Sequence, residues 1–117
     1  MGAKTVLLYL PPPRSHVSPF PQKTVPLGLM SIAATLRTRG GHTVRIVDGF
    51  EGCAAEDLAR LARECRADVV GITGLTAHAY DAMVAAQLVK EAHSPALVVA
   101  GGIHFSAVPE ETLRVCP

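Results

Sequence analysis

What this chain lacks narrows its function before any motif is read. It has no tryptophan, and aromatic residues make up only 4% of its 117 positions. Its apolar content is therefore mostly small and aliphatic, enough for one modest core that buries roughly two thirds of the unfolded surface. Charge of either sign is not in excess. Eleven Lys/Arg stand against ten Asp/Glu with no basic run, so there is no electrostatic footprint for nucleic acid or for an anionic membrane. Cys53, Cys65 and Cys116 are odd in number and never fall at Cys-x-x-Cys spacing. That argues against a disulfide framework or a zinc site, and it fits a reducing, cytoplasmic setting. No apolar run approaches ~18 residues, and no charged region followed by an apolar core opens the chain, so neither a spanning helix nor a secretion signal is expected.

What is present is organised around Asp68-Val69-Val70-Gly71-Ile72-Thr73-Gly74-Leu75-Thr76. This is a short apolar strand running into a loop of small and hydroxyl residues, the pattern of a strand buried on both faces of a parallel sheet. Lys4 to Leu10 reads as a first strand ended by Pro11-Pro12-Pro13, since proline has no N–H for a ladder. Arg14 to Val25 is a Pro-rich loop long enough to suggest function. Pro26 suits the first turn of a helix that carries Leu29, Ile32, Ala33 and Leu36 until Gly40-Gly41 stops it.

A second strand is expected over Thr43 to Asp48, then a turn from Gly49 to Ala54. The cleanest amphipathic helix follows, with Leu58, Leu61, Ala62 and Cys65 at i, i+3, i+4, i+7. A third helix spans about Tyr80 to Ala92, and Ala96 to Ala100 forms a fourth strand ended by Gly101-Gly102. Pro109-Glu110-Glu111 opens a last short helix. The apolar stripes of the first and third helices, Met30 and Met83 included, read as core.

Strands alternating with helices predict an α/β, flavodoxin-like (Rossmann-like) three-layer sandwich with a parallel sheet in the order 2-1-3-4. That order puts the topological switch between the first and third strands. The loops after Leu10 and Thr73 then open a crevice, with the loop after Ala100 beside it. A fifth strand is missing beside Leu97-Val98-Val99, an unpaired apolar edge. Residues 1–117 are therefore read as the front domain of a longer protein, or as a domain whose edge another chain covers.

Several uses of such a crevice fail on absent residues. A phospho-receiver needs carboxylates where Leu10 and Thr73 stand. Flavin and dinucleotide sites need backbone amides after the first strand, where prolines offer none. What remains is an apolar, Pro-walled slot floored by Thr73-Gly74-Leu75-Thr76 and flanked by Gly101-Gly102. Glycines let a bulky ligand approach the backbone, and a threonine hydroxyl can donate to a heterocycle nitrogen. Read alone, Gly101-Gly102 serves equally as a turn and Thr73 as a helix-approach residue.

The runs Val6-Leu7-Leu8-Tyr9-Leu10-Pro11-Pro12-Pro13, Val25-Pro26-Leu27-Gly28-Leu29, Arg39-Gly40-Gly41-His42-Thr43-Val44, Asp68 to Thr73, and Gly101-Gly102-Ile103-His104 with Pro109-Glu110-Glu111-Thr112-Leu113 together resemble the amino-terminal cobalamin-binding domain of cobalamin-dependent radical SAM enzymes. The resemblance covers nearly the whole chain. It implies that Thr73 faces the dimethylbenzimidazole, that Gly74, Leu75 and Thr76 floor the site with Leu75 and Thr76 under the corrin, and that Gly101-Gly102 make room for the nucleotide tail. Pro11 and Pro12 shape the near wall, and Ile103 and His104 lie against the tail or the corrin side chains.

The Asp-x-His-x-x-Gly motif of other cobalamin modules is absent around His16, where Arg14 and Pro19 stand. No histidine is therefore expected below the metal, and the cofactor is expected base-off. The resemblance also implies a methyltransferase using methylcobalamin, with the iron–sulfur cluster and S-adenosylmethionine held in a downstream radical SAM domain. No Cys-x-x-x-Cys-x-x-Cys cluster occurs here, and no residue of this chain is assigned a catalytic role. Two competing readings remain, a ligand-free docking module and an α/β domain for another nucleotide. His16, His78 and His104 fall on loops at the binding edge at no compact metal spacing, whereas His42 and His93 fall at the opposite edge and are expected to be solvated.

Overall fold

The computed structural model describes residues 2–12, 26–74 and 79–116. Along the chain run β1 (Thr5–Leu10), α1 (Leu27–Gly40), β2 (Thr43–Asp48), a 3-10 turn (Gly49–Glu51), α2 (Ala55–Glu64), β3 (Val69–Thr73), α3 (Ala79–Ala92), β4 (Leu97–Gly101), α4 (Ile103–Ala107) and α5 (Pro109–Val115). The four strands form one parallel sheet in the order β2-β1-β3-β4, the expected flavodoxin-like order. In register, Leu8 lies beside Ile46 on one side and Gly71 on the other, and Thr73 lies beside Gly101.

The period of two along each strand sorts side chains onto two faces. Leu7, Tyr9, Val47, Val70 and Ile72 point to one face, where they pack with Leu58 and Ala62 of α2 and with Ala82, Ala85 and Val89 of α3. The alanines keep α3 close to the strands. Val6, Leu8 and Val44 point to the other face and meet Leu29 and Ala33 of α1. Right-handed crossovers account for the split, because α1 links strands laid down in one direction and α2 and α3 link strands laid down in the other.

Local chemistry sets the element ends. Pro26 stands just before α1, where its carbonyl accepts from the Met30 N–H at 2.9 Å. Gly41 ends that helix with φ 63°, a left-handed position that glycine takes without strain. The Asp57 carboxylate accepts the Ala54 N–H at 2.9 Å at the start of α2. Lys90 donates to the carbonyls of Ser94 and Ala96 beyond the end of α3.

Three expectations need correction. Ile103–Ala107 is a helix ahead of the one at Pro109, and its N-cap Gly102 has φ 99°, so the glycine pair spans the end of β4 and a helix start rather than a simple turn. Met30 is half-exposed and not core. His42 and His93 are at the amino edge as expected but are not merely solvated. His42 Nδ1 accepts the Lys4 N–H at 2.9 Å, and His93 Nε2 lies 3.1 Å from the Ala67 carbonyl, so both rings tie loops to the sheet.

Candidate functional site

On the α1 face the helix covers β1 and β2 but not β3 and β4. The uncovered part is a groove of about 510 Å3, within the roughly 300–1,000 Å3 usual for small-molecule sites. One wall is the flank of α1, from Gly28 through Ile32 to Leu36. The floor is Val69, Gly71 and Thr73 of β3 beside Val99 and Gly101 of β4. Gly71 and Gly101 leave that floor without side chains at two points. A Cβ on Gly101 would have no heavy atom within 4 Å, whereas one on Gly71 would come 2.9 Å from the flexible tip of Leu8. The groove opens at the carboxyl edge between Leu10, Pro26, Thr73 and Gly102, beside the switch between β1 and β3 where ligands of such sheets bind.

Thr73 supplies the polar group at that end. Its half-buried side chain lines the groove, and its hydroxyl has no hydrogen-bond partner among the described residues. Gly102 plays a different part from its neighbour. With φ 99° and a virtual Cβ 2.8 Å from the Gly74 carbonyl and 3.1 Å from Thr73 Oγ1, it lets the start of α4 close over the end of β3. Gly74 is buried there, and the Thr73 side chain stands close beside it.

The other expected residues are distributed as follows. Pro11 is fully buried and Pro12 half-buried. The backbone of both lies against Gly49, where a Cβ would come 2.3 Å from Pro12 N and 2.5 Å from the Leu10 carbonyl. They fix the path of the chain leaving β1, and the wall of the groove falls to Leu10 and Pro26 instead. Ile103 is exposed on α4, and His104 is half-buried with its ring 5.2 Å from Phe105 in an edge-on contact; neither lines the groove. Leu75, Thr76, His16 and His78 lie outside the described residues.

Gly28, Ile32, Gly71 and Val99 line the groove without having been singled out as site residues. The alternation Val69/Gly71/Thr73 would have placed Gly71 on the same face as Thr73, and Ile32 belongs to a second apolar flank on α1 that reads as surplus core. No group of three or more His, Cys, Asp or Glu side chains able to hold a metal occurs among the described residues. No described helix is long and apolar enough to cross a membrane.

On the opposite face, Tyr9 is almost fully buried and donates to the Cys53 carbonyl at 3.2 Å. Burial, helped by the nearby Cys53 and acidic side chains, pushes its phenol up to about 12. Tyr9 thus ties β1 to the turn before α2 and faces away from the groove.

Comparison with known proteins places the fold in a family. The fold matches the cobalamin-dependent S-adenosylmethionine radical enzyme OxsB, solved with aqua-cobalamin and with aqua-cobalamin plus S-adenosylmethionine. For each structure the TM-score is 0.78 at 16% identity, over 98% of this chain and 16% of that one. An uncharacterized methyltransferase of Pyrococcus horikoshii is 37% identical over 119 residues, covering 100% of this chain and 26% of the relative. The chain thus spans about a quarter of that relative's length. The family model of the B12 binding domain matches residues 14–116. With that match over nearly its whole length and a groove at the carboxyl edge of a β2-β1-β3-β4 sheet, the chain belongs to the B12-binding domain family, whose cofactor is cobalamin.

Proposed function

We propose that residues 1–117 form the cobalamin-binding domain of a radical SAM methyltransferase, with the dimethylbenzimidazole tail lodged in the groove on the α1 face. The observation that carries this reading is the side-chain-free floor at Gly71 and Gly101 next to the hydroxyl of Thr73, which has no partner among the described residues. A flat heterocycle can lie against bare backbone there, and Thr73 can donate one hydrogen bond to a ring nitrogen. Val99, Ile32 and Leu29 shield its faces from water. With its base in the groove the cofactor is held base-off, and no histidine of the described residues lines the groove.

Bound cobalamin supplies a cobalt centre that can carry a methyl group. This chain's residues bind and orient the cofactor. The iron–sulfur cluster, S-adenosylmethionine and the methyl acceptor belong to further parts of the polypeptide, in keeping with the radical SAM neighbour and the methyltransferase relative.

The test is retention. Protein mixed with hydroxocobalamin and desalted is expected to stay pink with a shifted visible spectrum, and Thr73→Trp or Gly101→Leu, each filling the groove, is expected to release the pigment. Retention by both variants at the wild-type level would sink the tail placement. Failure of the unmodified protein to retain pigment would favour a docking role for the groove.

A further inference from the structure

The groove has a graded floor, because parallel register stacks the residues of β1, β3 and β4 into rows. At the carboxyl edge Thr73 lies beside Gly101, with Leu10 at the end of β1. Two residues further in, or roughly 7 Å along a parallel strand, the row is Leu8, Gly71 and Val99. Beyond it Val6 lies beside Val69. The mouth row is thus small and polar, and the inner rows are aliphatic except for the bare backbone of Gly71.

Polar partners run out at the same place. Among the described residues Thr73 is the only one lining the groove with a polar side chain. The backbone of the middle row is engaged too. β3 is paired on both sides, with β1 and with β4, and Ile32 on the wall sits inside a helix whose N–H and C=O groups bond to one another. Leu8 reaches so close to Gly71 that a Cβ there would come 2.9 Å from its tip, and Val99 flanks the glycine from β4. A group entering this row meets methyl groups and, among the described residues, no free hydrogen-bonding partner.

The single hydroxyl therefore fixes which end of a ring system points inward. A base joined to its nucleotide tail through an imidazole ring, and meeting Thr73 through the remaining imidazole nitrogen, sends its six-membered edge over Gly71. That edge is what distinguishes one lower base from another. In dimethylbenzimidazole it carries methyl groups, which gain from contact with Leu8, Val99 and Ile32. In adenine it carries ring nitrogens and an exocyclic amine, which lose water there and find no partner.

We infer that the groove selects corrinoids by their lower base, accepting an apolar benzimidazole and rejecting a purine, with the Leu8–Gly71–Val99 row as the selecting contact. The inference rests on the cobalamin reading and extends it from the presence of a tail to the chemical class of the tail.

The test compares three corrinoids with the same corrin ring: cobalamin, its analogue with adenine in place of dimethylbenzimidazole, and cobinamide, which has no nucleotide. Each is held in the cob(I) state, in which cobalt takes no lower ligand and neither base has a cobalt bond to give up. Affinity for the full-length protein is measured by equilibrium dialysis. Cobalamin is expected to bind roughly ten- to a hundredfold more tightly than the adenine form, the range for an unpaired polar group together with lost methyl contacts. Val99→Thr puts a hydroxyl in the row with little change of shape, at a residue 48% exposed. It is expected to narrow that ratio about three- to tenfold. Equal affinity for cobalamin and the adenine form, both tighter than cobinamide, would overturn the inference and leave the tail placement standing. A ratio unmoved by Val99→Thr would overturn the assignment to this row. Cobalamin no tighter than cobinamide would remove the tail from the groove, and the inference with it.

Discussion

The two faces of the sheet are built from the same strands and treated in opposite ways. On the α2/α3 face Leu7, Tyr9, Val70 and Ile72 are sealed under two helices, with Leu58, Ala62, Ala85 and Val89 at or near zero exposure. On the α1 face the same strands present Val69, Gly71, Thr73, Val99 and Gly101 to an open groove. One face stores stability as buried apolar area, at about 25 cal/mol per Å2. The other keeps apolar area uncovered, and that area adds correspondingly less to stability.

The largest expected contrast is between core residues of the two faces. Leu58→Ala, which empties a fully buried site on α2, should cost about 3 kcal/mol in urea denaturation of the 117-residue chain. Val99→Ala, at a residue 48% exposed on the groove floor, should cost less than about 1 kcal/mol. Comparable losses would mean that the groove is closed and the contrast false.

A finer contrast separates adjacent glycines. Gly102→Ala puts a side chain on a φ of 99° and its Cβ 2.8 Å from the Gly74 carbonyl, so a loss of about 2 kcal/mol is expected. Gly101→Ala meets no heavy atom within 4 Å and should leave the denaturation midpoint within about 0.5 kcal/mol of the parent while weakening hydroxocobalamin retention. A Gly101→Ala that destabilises the fold as much as Gly102→Ala would remove the distinction between a glycine needed by the chain and a glycine left for a ligand.

That distinction was hidden in the sequence, where Gly101-Gly102 reads as one unit. Strand order and faces were legible, because hydrophobic period and crossover handedness determine them. α2 was legible from the spacing of Leu58, Leu61, Ala62 and Cys65 alone. α1 was legible as a helix but not in its partners: its apolar residues lie on a sheet-facing side at Leu29 and Ala33 and a groove-facing side at Ile32, and spacing does not say which side another element covers. α4 was missed because Ile103–Ala107 is barely more than one turn and follows a strong turn signal. The packing of the Pro11 and Pro12 backbone on Gly49 joins residues far apart in sequence, so spacing alone gave no sign of it.

Two hydroxyls provide the smallest and most selective comparison. Tyr9, on the closed face, is paired with the Cys53 carbonyl and buried, so Tyr9→Phe should cost about 1 kcal/mol. Because folding raises its pKa from 10.0 to about 12, the protonated form is the one the fold prefers. Its contribution is fully present below about pH 10 and is lost as pH climbs through about 12, and Tyr9→Phe should remove that part of the alkaline decline.

Thr73, on the open face, has no partner among the described residues, so Thr73→Val should leave both stability and its pH dependence nearly untouched. Its effect should instead appear as roughly a five- to tenfold weaker affinity for hydroxocobalamin, the size of one hydrogen bond to a neutral acceptor. A Thr73→Val that unfolds the domain while binding cofactor normally would assign that hydroxyl to the fold. The two faces would then differ in covering but not in purpose.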